Sequence, residues 1–188
     1  MKKLFLIATM LLSTLSLAEV KVSKMPEVKF TGYKFLEKVG VSGTFRSISW
    51  DYPANAKNVK QLIEETSARI DSYSIDANVE ARNINITEAL FKNWGGRYIK
   101  VDLNSYNASA KTAKADITVG DKKNTTIFQV HQLKNKLIFT SSIDVLEMGF
   151  GNSFSKLAKR CSDWHTGSDG VTKTWSTVDL EVKVALAK

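Results

Sequence analysis

The chain has 188 residues, a formal net charge of +8 and a sequence pI near 9.5. It contains one cysteine, Cys161, which excludes an intramolecular disulfide. The basic residues are scattered along strands and turns, and two of them, Lys2 and Lys3, lie in the first few residues. The charge therefore describes a solvated surface rather than a nucleic-acid footprint.

Residues 1–18 form a candidate signal peptide. Lys2 and Lys3 precede an apolar run over 4–12, and Ser16-Leu17-Ala18 is a small-x-small cleavage site. The run is too short for a bilayer, which needs about 20 residues. No other stretch approaches that length. The mature chain would be residues 19–188, a single soluble domain exported to the periplasm or beyond. Export argues further against nucleic acid as a partner. A homodimer is compatible with the composition.

After an extended lead-in, Val28, Phe30 and Gly32 alternate with Lys29, Thr31 and Tyr33, predicting a strand. Glu37-Lys38 predicts a turn. Residues 39–50 read as one strand, with Val41, Gly43 and Phe45 on one face and Ile48 and Trp50 on the other. Val59, Leu62 and Ile63 within 57–65 predict a short helix. Residues 67–94 carry a strand through Ala68, Ile70 and Ile75, then turn residues Asp76-Ala77-Asn78, then a polar segment with Arg82 and Asn83. Asn85 or Thr87 is placed to cap a helix carrying Ala89, Leu90, Phe91 and Trp94, which Gly95-Gly96 ends. That helix reads as a cap over whatever the strands enclose.

Strands follow over 97–108 (Ile99, Val101 and Leu103 in phase), 111–119, 124–133 and 137–146 (Leu137, Phe139, Ile143 and Val145 in phase). Ser153 is placed to cap a second helix. Phe154, Leu157, Ala158, Cys161 and Trp164 make one apolar stripe on it. The last strand is the clearest: Val178, Leu180, Val182, Val184 and Leu186 against Thr177, Asp179, Glu181 and Lys183. About eight strands with helical insertions predict an all-β, antiparallel barrel or sandwich.

Chemical motifs are sparse. Cys161 and His165 are four residues apart, the spacing of a shared helix face, which raises a thiol- or metal-dependent enzyme as the alternative. The only other histidine is His131, so a closed metal site is not assembled, and Cys161 lies on the apolar stripe. No nucleophile elbow, phosphate loop or dinucleotide fingerprint is present. Asn85-Ile86-Thr87, Asn107-Ala108-Ser109 and Asn124-Thr125-Thr126 read as turn and cap residues. Aromatic side chains gather at strand ends and on both helices, and periodicity alone leaves packed core and lined pocket equally open.

The ordered segments VGVSGTFRSISWD, SARIDSYSIDANVEARNINITEALF, MGF at Met148 and CSDWHTGSDGVTKTWSTVDLEV resemble the YceI-like family of exported bacterial proteins. The resemblance runs over residues 28–187. That family has a Ser-x-Asp-Thr run, then Arg-Asp, then a short helix ending in Phe. Here Ser74-Ile75-Asp76-Ala77, Arg82-Asn83 and Phe91 stand in those places, with Ala77 and Asn83 departing from the pattern. Gly149-Phe150-Gly151 stands for an Asp-Phe-Gly-like turn. The resemblance implies a lipocalin-like barrel that holds a long amphiphile, such as a polyisoprenoid, an isoprenoid quinone or a fatty-acid amide. It implies a carrier rather than an enzyme, with no cofactor and no metal. The expected wall residues are Phe35, Val41, Phe45, Leu90, Phe91, Trp94, Val101, Phe139, Ile143, Phe150, Phe154, Leu157 and Trp164. Arg82, Asn83 and His165 are the expected head-group contacts.

Overall fold

The structure, a computed structural model, describes residues 19–187. The candidate signal peptide, residues 1–18, lies outside the described residues.

Among the described residues, ten strand segments form one antiparallel sheet: β1 (Glu27–Lys34), β2 (Val39–Phe45), β3 (Ile48–Asp51), β4 (Ser67–Asp71), β5 (Ile75–Asp76), β6 (Tyr98–Asn107), β7 (Thr112–Val119), β8 (Lys122–Leu133), β9 (Lys136–Asp144) and β10 (Thr174–Ala185). Their order is β3-β4-β6-β7-β8-β9-β10-β1-β2-β5. The two ends of that order meet. β2 runs into β3 through Arg46-Ser47, and β4 runs into β5 through the 3₁₀ turn Ser72–Ser74. Each half of the first bent strand pairs with one half of the second, β2 with β5 as Phe45 opposite Ile75 and β3 with β4 as Ile48 opposite Ile70. Counted whole, these bent strands reduce the ten segments to eight, and the pairing runs round a barrel. Closure removes the exposed edges that an open sheet would leave.

Residues 39–50 therefore do not form the single regular strand that the alternation predicts. The chain bends at Arg46-Ser47, and the bend is held from a distance. Arg46 N donates to Ser74 O at 2.9 Å, Asp71 N to Ser47 O at 3.0 Å, and Ser47 N to Ser74 Oγ at 3.0 Å. The Arg46 guanidinium also pairs with Asp76 at 3.1 Å. These groups take over the hydrogen bonds that the interrupted ladder would otherwise leave unmade.

Successive residues of a strand face opposite sides, so one alternate set points inward. On β10 the inward set is Val178, Leu180, Val182 and Val184; on β1 it includes Val28, Phe30 and Gly32. Gly43 sits opposite Phe30. A Cβ there would lie 2.5 Å from the Phe30 ring and 2.5 Å from Asp76 O, where only hydrogen fits. Gly43→Ala should therefore cost about 1–3 kcal/mol through overpacking. A shift of the urea midpoint to lower concentration checks this.

Among the described residues, three α-helices close the ends. Helix α1 (Val59–Glu64) starts where Asn58 Oδ1 accepts from Gln61 N at 2.9 Å, and it buries Leu62 and Ile63. Tyr106 N donates to Glu64 Oε1 at 2.9 Å and ties α1 to the sheet. Helix α2 (Glu80–Ala89) and helix α3 (Gly151–Arg160) pack on each other at the other end. α2 begins well before Asn85 and Thr87, the expected caps, and its N-cap position is Val79 with no side-chain cap. Phe91 and Trp94 fall beyond it, in and after the 3₁₀ turn Phe91–Asn93. Ser153 lies inside the first turn of α3 and donates its hydroxyl to Phe150 O at 2.9 Å, so it is not the cap.

The apolar interior is divided into two clusters. One, near α2 and α3, contains Ile70, Phe91, Trp94 and Phe150; the other, near α1, contains Leu62, Ile63, Phe128 and Leu137. No helix among the described residues is long and apolar enough to cross a membrane.

Candidate functional site

A cavity of about 480 Å³ runs inside the barrel along both clusters. This volume lies within the range of small-molecule sites, roughly 300–1,000 Å³. The cavity is also long. β10 contributes its inner face from Thr174 to Val184, a stretch of strand about 33 Å long. Its floor includes Leu62 and Ile63 of α1. Its roof includes Ile86 of α2 with Leu90, Phe91 and Trp94 just after it, and Phe154 and Leu157 of α3.

An aromatic chain fastens this roof to the wall. Phe30 stands 5.6 Å from Phe45, Phe45 6.0 Å from Phe91, Phe91 4.6 Å from Trp94, and Trp94 4.7 Å from Phe150, all tilted. Tilted rings at these separations attract beyond their buried area. Trp94 Nε1 donates to Gly96 O at 3.0 Å, so the indole is satisfied although nearly buried.

Of the expected wall residues, Val41, Phe45, Leu90, Phe91, Trp94, Val101, Phe139, Ile143, Phe154, Leu157 and Trp164 line the cavity. Trp164 does so from the rim, 60% exposed in the 3₁₀ turn after α3, rather than inside an apolar stripe. Phe35 and Phe150 are not in the wall. Phe35 sits in the β1–β2 turn with a left-handed backbone (φ 61°). Its N and O bond Lys173 O and Trp175 Nε1, and its ring packs under Lys34 Nζ at 4.5 Å. Phe150 is buried one layer back, behind Trp94.

The expected head-group residues separate in the same way. Arg82 and His165 line the cavity. Asn83 does not: it is buried, and its Oδ1 accepts from Ala77 N at 2.7 Å, fixing the turn that leads into α2. Asn83→Ala would leave that buried N–H without a partner, at about 1–3 kcal/mol. Urea unfolding should show that loss.

Several wall residues carry no signal in the sequence. Lys34, Asn85, Thr174 and Trp175 join Arg82 and His165 where the end of β1, α2, the segment after α3 and the start of β10 converge. Gly32 opens space in the wall, since a Cβ there would meet nothing within 4 Å. Trp50 Nε1 is buried with no hydrogen-bond partner among the described residues, a donor open to a polar atom of a bound molecule.

Cys161 and His165 both line the cavity near its mouth. Burial pushes the Cys161 thiol up, against the opposing pull of Arg160 and Lys34. Burial pushes the His165 imidazole down, and the nearby Lys34 and Arg82 charges push it further. His165 Nδ1 is engaged with Thr174 Oγ1 at 2.6 Å. These environments favour a neutral thiol and a neutral imidazole over a reactive ion pair. Among the described residues no group of three His, Cys, Asp or Glu side chains is placed to hold a metal ion.

No family model matches the sequence, and no curated protein matches it either. Solved structures do match. A polyisoprenoid-binding domain from Saccharophagus degradans, implicated in plant cell wall breakdown, superposes with a TM-score of 0.61 at 14% identity, over 90% of this chain and 98% of that one. BcnA of Burkholderia cenocepacia gives a TM-score of 0.54 at 14% identity, over 87% and 96%. The Campylobacter jejuni YceI protein gives 0.54 at 13% identity, over 82% and 90%. At these identities the likeness establishes the fold: a YceI-like, lipocalin-like antiparallel barrel.

Proposed function

We propose that this protein is an exported carrier that encloses the hydrocarbon tail of a long-chain amphiphile and holds it in the periplasm. The single supporting observation is the elongated apolar cavity, closed by α1 at one end and roofed by α2 and α3 at the other, with polar groups gathered at one mouth. The Saccharophagus domain of the same fold is a polyisoprenoid-binding one. A polyisoprenoid, an isoprenoid quinone or a fatty-acid amide has a tail of the kind this cavity would enclose.

The energetics are adequate for a carrier. Burying about ten methylenes at about 0.8 kcal/mol each contributes roughly 8 kcal/mol gross. Immobilising the chain offsets part of it. The remainder supports roughly micromolar or tighter binding, provided the mouth contributes a few oriented polar contacts. No covalent chemistry is needed: capture is desolvation of a tail, and release is its reversal.

Organic extraction of the natively purified protein followed by mass spectrometry tests the proposal. A stoichiometric prenyl or acyl species in the extract is expected. An empty extract from protein that also fails to take up prenyl or acyl chains overturns it.

A further inference from the structure

Among the described residues the cavity wall contains no aspartate or glutamate, and its only formally charged side chains are Lys34 and Arg82. They are half-buried at the same mouth as His165. Neither makes an ion pair among the described residues, whereas Arg46 and Arg97 pair with Asp76 and Asp71. Arg82 spends one donor, Nη1 on Ala77 O at 2.5 Å, of the five a guanidinium carries. Lys34 Nζ has a single long contact, 3.3 Å to Trp164 O. Arg160 stands behind them, its Nε donating to Asn85 Oδ1 at 2.7 Å, and Asn85 is itself a wall residue. Lys34 is paired across the ladder with Thr174, whose hydroxyl bonds His165 Nδ1 at 2.6 Å, and Arg82 lines the same cavity, its charge opposing protonation of His165 together with that of Lys34.

Two half-buried cations beside an apolar cavity are costly to desolvate without a counter-charge. The cavity wall supplies neither of them with a carboxylate. A guanidinium with free donors next to an ammonium is the arrangement that binds carboxylate or phosphate with charge-assisted hydrogen bonds.

We propose that the ligand is an acidic amphiphile whose carboxylate or phosphate lies between Lys34 and Arg82, beside His165, with its tail in the barrel; this presupposes the carrier function above. The acidic head is what the mouth selects, and neutral alcohols, amides and quinones of equal tail length bind more weakly.

Four probes with one tail separate head from tail: oleate, oleyl phosphate, oleyl alcohol and oleamide, each titrated calorimetrically into delipidated full-length mature protein at low and high salt. At low salt, oleate or oleyl phosphate should bind at least tenfold tighter than the two neutral probes. High salt should narrow that gap. The tighter of the two acids identifies the head as carboxylate or phosphate. In a Lys34→Met/Arg82→Met double variant the acid should fall to the affinity of the alcohol. Equal binding of all four probes overturns the acidic head group and leaves the carrier function standing. Binding of none overturns both. The comparison on the unmutated protein decides the matter even if the double variant does not fold.

Discussion

Gly32→Phe should abolish ligand uptake and leave the barrel folded. Gly32 lies on β1 opposite Val41 and Val178, both cavity residues, so a side chain at position 32 points inward. A Cβ there would meet no atom within 4 Å. The backbone is not in the left-handed region, so an L side chain is accepted without strain. The new ring would occupy the path of the tail just below the cationic mouth. We expect at least a tenfold loss of affinity, about 1.4 kcal/mol or more, for a fluorescent fatty-acid analogue. The thermal midpoint should stay level or rise, because glycine inside a strand costs roughly 0.5–1 kcal/mol relative to alanine. Unchanged uptake would mean that the chain does not lie beside β1. The contrast with Gly43 is informative. Two inward glycines on neighbouring strands predict opposite outcomes, because one faces space and the other faces Phe30.

Trp94→Ala should be the most destabilising single change at the roof, at about 3–5 kcal/mol. Trp94 is nearly buried, with Phe91 and Phe150 rings at 4.6 and 4.7 Å and a hydrogen bond to Gly96 O. It joins the segment after α2 to the start of α3, so its removal unfastens both roof helices together. Such a loss is a large share of the 5–15 kcal/mol that holds a typical domain. The urea midpoint should fall steeply. In a cycle with Phe150→Ala the double variant should lose less than the two singles combined, because the rings share one contact. Additive losses would mean that the aromatic chain is not a unit.

The strands from β6 to β10 were legible because one face meets the cavity and the other meets water, which writes period-two alternation into Ile99-Val101-Leu103 and Val178-Leu180-Val182. The bend at Arg46-Ser47 was not, because its partners Asp71 and Ser74 lie far along the chain. α2 was misplaced for a related reason. Its sequence EARNINITEA has no apolar stripe, so its start is set by docking on α3 and by the Asn83–Ala77 bond rather than by periodicity. Phe91 and Trp94 belong to the interior, as their apolar segment predicts, but sit in and just after a 3₁₀ turn rather than on the helix. Phe150 looked like a wall residue because aromatic content does not distinguish a first layer from a second. Lys34 was invisible: a lysine at a strand end is ordinary until β1, α2 and the segment after α3 are brought to one mouth. The resemblance carried by the ordered segments pointed to the fold that the solved structures share.

A crystal structure of the mature protein purified without delipidation bears most directly on the hollow, chain-enclosing barrel. Elongated density should run from Lys34 and Arg82 down the inner faces of β1 and β10 toward Leu62. A centre filled by rearranged side chains, or one holding only water, would contradict it.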